Sequence, residues 1–311
     1  IEPKTGYICQ TGFTEGVAEQ MRTMVAQLKA QGMTKLVLDL RGNGGGLMKE
    51  AIDIVSIFVP KNSLVMTSRG RDGQNAEVYR TDKDALDEKL ELAVLVDGGS
   101  ASSSEIVSGA LQDLDRATII GTRTFGKGLV QNVRPLPFGG QLKITVAKYY
   151  TPSGRCVQAI DYSHRNPDGS VGHIPDSLTH VFKTLKGREV RDGGGITPDI
   201  VIEGPEYDDV IYSLVLSGIV GQYALHYKMS HPTIAPECEF DFTEFDDFVE
   251  YVLPFVKDNA KESVKNINHE QIKPFIEEEI VTRYYYQEAG VKHRLQYDTQ
   301  LKEALTKKSV L

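Results

Sequence analysis

Three short stretches of this chain hold the residue types that acyl transfer needs. "LDLRGNGGG" (38–46) runs an apolar strand into three consecutive glycines just ahead of a helical pattern. Glycines there permit positive φ and close approach, and they leave backbone N–H groups exposed at a helix start. Such groups can bind an anion or a developing oxyanion. The same residues also read as an ordinary tight strand-to-helix turn. "DGGSASSSEIVSGALQD" (97–113) repeats the pattern with hydroxyls in the turn. A serine there sits at the positive end of a helix with little steric cover, but Ser and Gly cap helices everywhere. Position alone does not choose among Ser100, Ser102, Ser103 and Ser104.

The third stretch, "GTRTFGKGLVQ" (121–131), almost spells the phosphate-binding G-x-x-x-x-G-K-[ST] loop. Gly128 stands where that loop needs a hydroxyl, and "GLVQNVRPLPFGG" offers β-branched residues, prolines and a turn in place of a helix. The nucleotide reading therefore fails. What remains is Lys127, held between two glycines and beside Phe125. A lysine titrates near ~10.4 in water, so it serves as a base near neutrality only where desolvation lowers that value. None of the seven histidines falls in the three stretches. His164 and His173 lie in a turn-rich excursion and His180 just beyond it, while His226, His231, His269 and His293 lie in the tail.

The elements around these stretches predict an α/β fold. "GYICQTGF" is a strand leading to Thr14, a candidate N-cap, and Val17, Met21, Val25 and Leu28 follow at helical spacing until Gly32. "TKLVLDL" is a strand of the kind buried on both faces. "LMKEAIDIVSIFVP" is a helix stopped by Pro60. "LVMTSRG", "EVYRT", "LELAVLVD" and "ATIIGT" are further strands, and "SSSEIVSGALQDLDR" is a helix with Ile106, Ala110, Leu111 and Leu114 on one face. In "GQLKITVAKYYTPSG", Leu142, Ile144 and Val146 alternate with Lys143, Thr145 and Ala147, which predicts a strand with one wet face. Residues 161–176 read as an exposed loop. Strands alternating with helices end near "TPDIVI", and amphipathic helical patterns take over. The division is a core over 1–204 and a mainly helical domain over 205–311.

Bulk properties narrow the field. The 311 residues carry a net charge of -8 with no compensating basic stripe, which argues against a nucleic-acid partner. No apolar run approaches the ~20 residues of a membrane span, against an integral membrane protein, and "IEPKTGYICQ" lacks the zones of a signal peptide. Cys9, Cys156 and Cys238 are far apart and lack C-x-x-C spacing, so neither a disulfide framework nor a metal site is read. No cofactor is implied.

"TGYICQTGF", "LVLDLRGNGGG", "GSASSSEIVSGALQD", "IIGTRTFGKGLVQ" and "KYYTPSGRCVQ" stand in the order found in the carboxy-terminal processing peptidases, or tail-specific proteases. The chain resembles that family over roughly residues 6 to 203. The resemblance implies a Ser/Lys serine endopeptidase on a crotonase-like (ClpP-related) α/β core, acting on polypeptide tails. It assigns the nucleophile to Ser102, the general base to Lys127 and support of that lysine to Gln131. The oxyanion site falls to the amides of Ser103 and Gly45, with Gly46 an alternative because three glycines blur the register. Where the family often has S-A-S-A-S-E, this chain has Ser103 for the second alanine, which leaves the amide unchanged. The family places a PDZ domain ahead of the residues that correspond to "GYI". The helical end resembles extensions in relatives from Bacteroides-like bacteria. Family habit further implies export to the periplasm or cell envelope.

Geometry adds a demand. In a regular strand Lys127 and Gln131 would stand about 13 Å apart, so "KGLVQ" is expected to turn or bulge, with Ser102 Oγ within hydrogen-bond reach of Lys127 Nζ in an active form. Asp39 and Arg41 are expected to anchor the glycine turn and Glu105 to serve its helix N-terminus. An open strand edge near "KITVAKYY" is the expected seat of an extended substrate. The helical tail reads as a cap on the core or as a homodimer surface. Two rival functions remain, an acyl-thioester enzyme of the crotonase type and a non-catalytic peptide-binding scaffold.

Overall fold

Leu36, Val37 and Leu38 are fully buried, as an unbroken apolar run in a two-sided sheet requires. They belong to the central sheet of the first of two structural units. The computed structural model describes residues 3–71, 76–165, 168 and 171–306, with the backbone alone for 163–165. The first unit runs to Glu203 and includes the described residues from Glu303 on, and the second covers Gly204–Lys302.

In chain order the first unit begins β1 (Thr5–Cys9), α1 (Val17–Ala30), β2 (Lys35–Asp39), α2 (Met48–Val55), β3 (Leu64–Arg69) and β4 (Glu77–Arg80). It continues β5 (Glu91–Val96), α3 (Ser103–Asp113), β6 (Thr118–Gly121), β7 (Leu129–Pro135) and β8 (Gln141–Tyr150). Short strands follow: β9 (Ile160–Arg165), β10 (Val171–His173), β11 (Val181–Lys183), β12 (Glu189–Arg191) and β13 (Ile200–Val201). The central sheet has the order β1-β2-β5-β6-β13, parallel throughout. Parallel neighbours need long crossovers, and α1 and α3 lie within two of them. A second sheet, β4-β3-β8-β7, is antiparallel. The fold is thus α/β with a parallel central sheet and an antiparallel second sheet.

Three local expectations change. Thr14 does not cap α1. The helix starts at Val17 behind a left-handed Gly16 (φ 82), and its first amides are met by buried Glu50 of α2, which accepts from Gly16 N at 3.1 Å and Ala18 N at 2.9 Å. A remote carboxylate supplies what a local hydroxyl would have.

β8 does not have one dry face. Leu142, Ile144 and Val146 are 45%, 41% and 41% exposed, because β3 pairs with β8 only at Lys148–Tyr150. Beyond that point β7 and β8 form a two-stranded ribbon open on both faces. The excursion at 161–176 contains the antiparallel pair β9–β10, whose backbone groups satisfy one another. Its residues 166, 167, 169 and 170 lie outside the described residues.

The second unit is helical: α4 (Asp209–Leu216), α5 (Ile219–Ser230), α6 (Phe245–Val252), α7 (Lys261–Lys265), α8 (His269–Arg294, broken at Tyr286 with φ 70) and the start of α9 (Thr299–Thr306). Tyr223 anchors its core edge-on to Phe242 and Phe248, at centroid distances of 5.9 and 5.0 Å. Among the described residues no single helix is long and apolar enough to cross a membrane.

Fully buried Glu277 accepts from Phe242 N (2.7 Å), Tyr297 Oη (2.6 Å) and His293 Nε2 (2.8 Å). His293 Nδ1 faces the Glu237 carbonyl at 2.5 Å, so both ring nitrogens must donate and the imidazolium is favoured. Burial opposes that charge, but the bonds to Glu277 and Glu237 outweigh it and raise the His293 pKa. The sign follows from linkage. This stabilisation is complete below the ordinary histidine value near ~6.5 and fades as pH rises through the higher folded value. We expect the melting temperature of wild type to fall across that window and that of His293→Phe to be flat there. The variant should also lose about 1.5–3 kcal/mol at pH 6, because Glu277 loses its 2.8 Å bond to the imidazolium and keeps only Lys273 Nζ, 4.0 Å away, as a cationic neighbour. Parallel pH–melting curves would contradict the assignment.

Candidate active site

The three stretches meet because buried polar side chains tie their turns together. Asp39 closes the end of β2, accepting from Arg41 N (2.9 Å), Arg41 Nε (3.0 Å) and Tyr7 Oη (2.7 Å). Burial, then the adjacent Asp39 charge, push the Tyr7 phenol well up. Asp97 Oδ1 receives Gly42 N at 2.8 Å and Gly99 N at 2.9 Å, so one carboxylate joins the glycine turn to the serine turn. Asn43 repeats that join, its carbonyl accepting from Ala101 N (3.0 Å) and Ser104 Oγ (2.8 Å).

The four candidate serines now separate. Ser100 Oγ donates to the Leu40 carbonyl (2.8 Å), Ser103 Oγ to that of Gly46 (3.0 Å) and Ser104 Oγ to that of Asn43 (2.8 Å). Only Ser102 has a hydroxyl not committed as a donor, and it lines a pocket of about 500 Å³. Its backbone is held at φ 57, ψ -111, a conformation that costs a non-glycine residue about 1–3 kcal/mol. Ser102 N donates to Glu105 Oε2 (2.9 Å) and Tyr149 Oη donates to the Ser102 carbonyl (3.3 Å), holding the turn in place.

Glu105 also reaches the lysine loop. It is fully buried and accepts from Thr124 Oγ1 (2.6 Å), Gly126 N (2.7 Å) and Lys127 N (2.8 Å). Burial pushes this carboxyl up, and the same donors pull it back toward the ionised form. Gly126 must be glycine: φ is 85, and an added Cβ would stand 2.3 Å from Ala159 Cβ. Gly128 N is fixed by Gln158 Oε1 at 2.8 Å.

All five residues picked from sequence, Ser102, Lys127, Gln131, Gly45 and Ser103, line this one pocket. Some expected bonds are not made. Among the described residues no hydrogen bond joins Ser102 Oγ to Lys127 Nζ, or Gln131 to Lys127. A bulge does occur, the register slipping by one residue between Val130 and Gln131, and it leaves Gln131 Nε2 3.5 Å from Thr145 Oγ1. Gly45 N donates to Asn43 Oδ1 at 2.9 Å. Among the described residues Ser103 N and Gly46 N have no protein acceptor, as a first helical amide and a glycine turn leave them. No described histidine side chain lines the pocket, and that of His164 is not among those described. Among the described residues the β7–β8 ribbon has an open backbone edge along β7 and along β8 over residues 141–147. A cavity of about 650 Å³ in the helical unit offers Glu278, Glu279, Arg283 and Arg294 but no hydroxyl nucleophile or lysine.

Asn43, Asp97, Tyr149 and the second role of Glu105 escape the sequence reading. Polar residues beside glycine turns, such as Asn43 and Asp97, are the one local signal that could have pointed to two of them.

A hydroxyl on a strained turn, a lysine and amides without an acceptor among the described residues, all lining one pocket of an α/β core, are the groups that serine-type hydrolase chemistry calls for. The chain matches peptidase family S41 over residues 4–170, and residues 255–307 match the family described as "Probable PDZ-protease, C-terminal helical domain". The chain belongs to peptidase family S41. A carboxy-terminal-processing protease of Bartonella bacilliformis is 42% identical over 227 residues, 68% of this chain and 50% of that protein. A probable CtpA-like serine protease of Staphylococcus aureus is 31% identical over 290 residues, 88% of this chain and 49% of that protein. The solved photosystem II D1 C-terminal processing protease aligns with 30% identity and a TM-score of 0.49, over 64% of this chain and 42% of that one. The chain thus spans about half the length of the relatives it matches.

Proposed function

We propose that this chain carries a serine endopeptidase activity that cleaves polypeptides near their C-termini. The observation that carries the reading is the convergence of Ser102, Lys127 and two amides without protein acceptors on one pocket. In the reaction, neutral Lys127 Nζ takes the Ser102 proton while Oγ attacks the scissile carbonyl carbon. The tetrahedral oxyanion is met by Ser103 N and by a glycine amide, Gly46 as the turn stands or Gly45 once its bond to Asn43 is released. The ammonium then protonates the departing amine as the C–N bond breaks. Water, deprotonated by the same amine, hydrolyses the acyl-enzyme. Each oxyanion donor is worth about 3–4 kcal/mol in such sites. Closing the Ser102–Lys127 contact to about 2.6–3.2 Å is the step that substrate binding has to drive.

The parallel sheet with helical crossovers supports assigning the core to the crotonase-like, ClpP-related group. That relation makes an acyl-thioester enzyme the competitor to exclude. Assaying an unfolded tail-bearing polypeptide against acyl-coenzyme A thioesters decides: the expected result is peptide products with thioesters untouched, and the reverse outcome would discard the peptidase.

A further inference from the structure

The ribbon wall of the pocket carries a second lysine. Across β7 and β8, Gln131 pairs with Thr145 and Val133 with Lys143. Directly paired residues project to one face, so Gln131 and Lys143 share a face one row apart, about 7 Å along the strands. Both line the pocket.

In this unit Lys29, Lys35, Lys49 and Lys83 each have a carboxylate partner, and Lys143 is set apart from the other lysines by its place in the pocket lining beside Lys127. Among the described residues no carboxylate comes within 4.0 Å of the Lys143 amine. The pocket lining holds Lys127 and Lys143 and neither Asp nor Glu. The carboxylate that holds the serine turn and the lysine loop, Glu105, is buried with its oxygens already bonded. An unmatched cation in an acid-free cleft attracts one complement, an anionic group on whatever docks there. A polypeptide supplies that group in one chemical form, the carboxylate.

We propose that Lys143 forms a carboxylate-binding subsite that holds the tail of the substrate on the ribbon side of Ser102. The inference rests on the peptidase reading and deepens it. A carboxylate held there sets how far from the end of the chain the cut falls. The carboxylate has two sources, the chain terminus and an acidic side chain near it.

Three forms of one peptide separate them: free C-terminal acid, C-terminal amide, and the amide with one glutamate placed near the end. For wild type, the preferred acid-bearing form should exceed the plain amide in kcat/KM by about two- to fivefold, the worth of one exposed charge pair. Lys143→Gln should bring that ratio to about 1, Lys143→Arg should keep it, and Lys143→Glu should invert it. Preference for the free acid identifies the terminus, and preference for the glutamate form identifies the side chain. A wild-type ratio of 1 for both, or a ratio unchanged in Lys143→Gln, overturns the subsite. Should no peptide be cleaved, the peptidase reading fails by itself. The same ratios read as dissociation constants on Ser102→Ala, by fluorescence anisotropy, then still decide the subsite.

Discussion

Ser102→Ala and Lys127→Ala each lower polypeptide cleavage by about 10⁴- to 10⁶-fold, and the double variant is no worse than either, because residues acting as one unit lose their joint contribution at the first deletion. The structure explains why the loss at Ser102 has no substitute. Ser100, Ser103 and Ser104 spend their protons on the carbonyls of Leu40, Gly46 and Asn43, so no neighbouring hydroxyl can move in. Both substitutions leave the fold intact: among the described residues Ser102 Oγ is no donor and its loss removes only the cap on α3, worth about 0.5–2 kcal/mol, while Lys127 meets Glu105 through its backbone amide. Single-turnover assays with quenched intermediates would register the loss, with thermal melting as the control for folding. Multiplicative losses in the double variant would mean that serine and lysine act in separate steps. Cleavage surviving both changes would leave a peptide-binding scaffold as the better account.

Glu105→Gln lowers kcat by about 10²- to 10³-fold while the protein stays folded, an expectation that follows from counting donors. Glu105 Oε2 accepts from Ser102 N and Lys127 N, and Oε1 from Thr124 Oγ1 and Gly126 N. An amide presents one oxygen and one NH₂, so either the Ser102–Lys127 pair or the Thr124–Gly126 pair faces another donor. A buried donor left without its acceptor costs about 1–3 kcal/mol, and a displaced lysine loop opens the distance that proton transfer has to cross. The distinguishing readout is the split between parameters: kcat falls while KM changes little, because Glu105 does not line the pocket. A variant with wild-type kcat would show that the two turns are positioned without it.

Much of the core was legible in the residues themselves. The apolar run of "TKLVLDL" had to be a buried strand, the glycines after it had to turn, and Lys127 among glycines could not be a phosphate-loop lysine without a hydroxyl after it. Local periodicity carries such facts because each depends on a few adjacent residues. The α1 start and the β8 faces were not legible for the opposite reason. Glu50 lies 32 to 34 residues from the amides it caps, and whether Leu142, Ile144 and Val146 are covered depends on how far β3 extends beside them.

The site divides along the same line. Sequence alone established that serines, glycines and a lysine suited to acyl transfer occur in three turns following apolar strands, and their order carried the family. Only the tertiary structure chose Ser102 among four serines, engaged the Gly45 amide with Asn43, and brought the Lys127 loop to the serine turn through Glu105. The physical reason is that a hydrogen bond is satisfied by whichever donor or acceptor the fold brings within about 3 Å, and chain separation has no part in that choice.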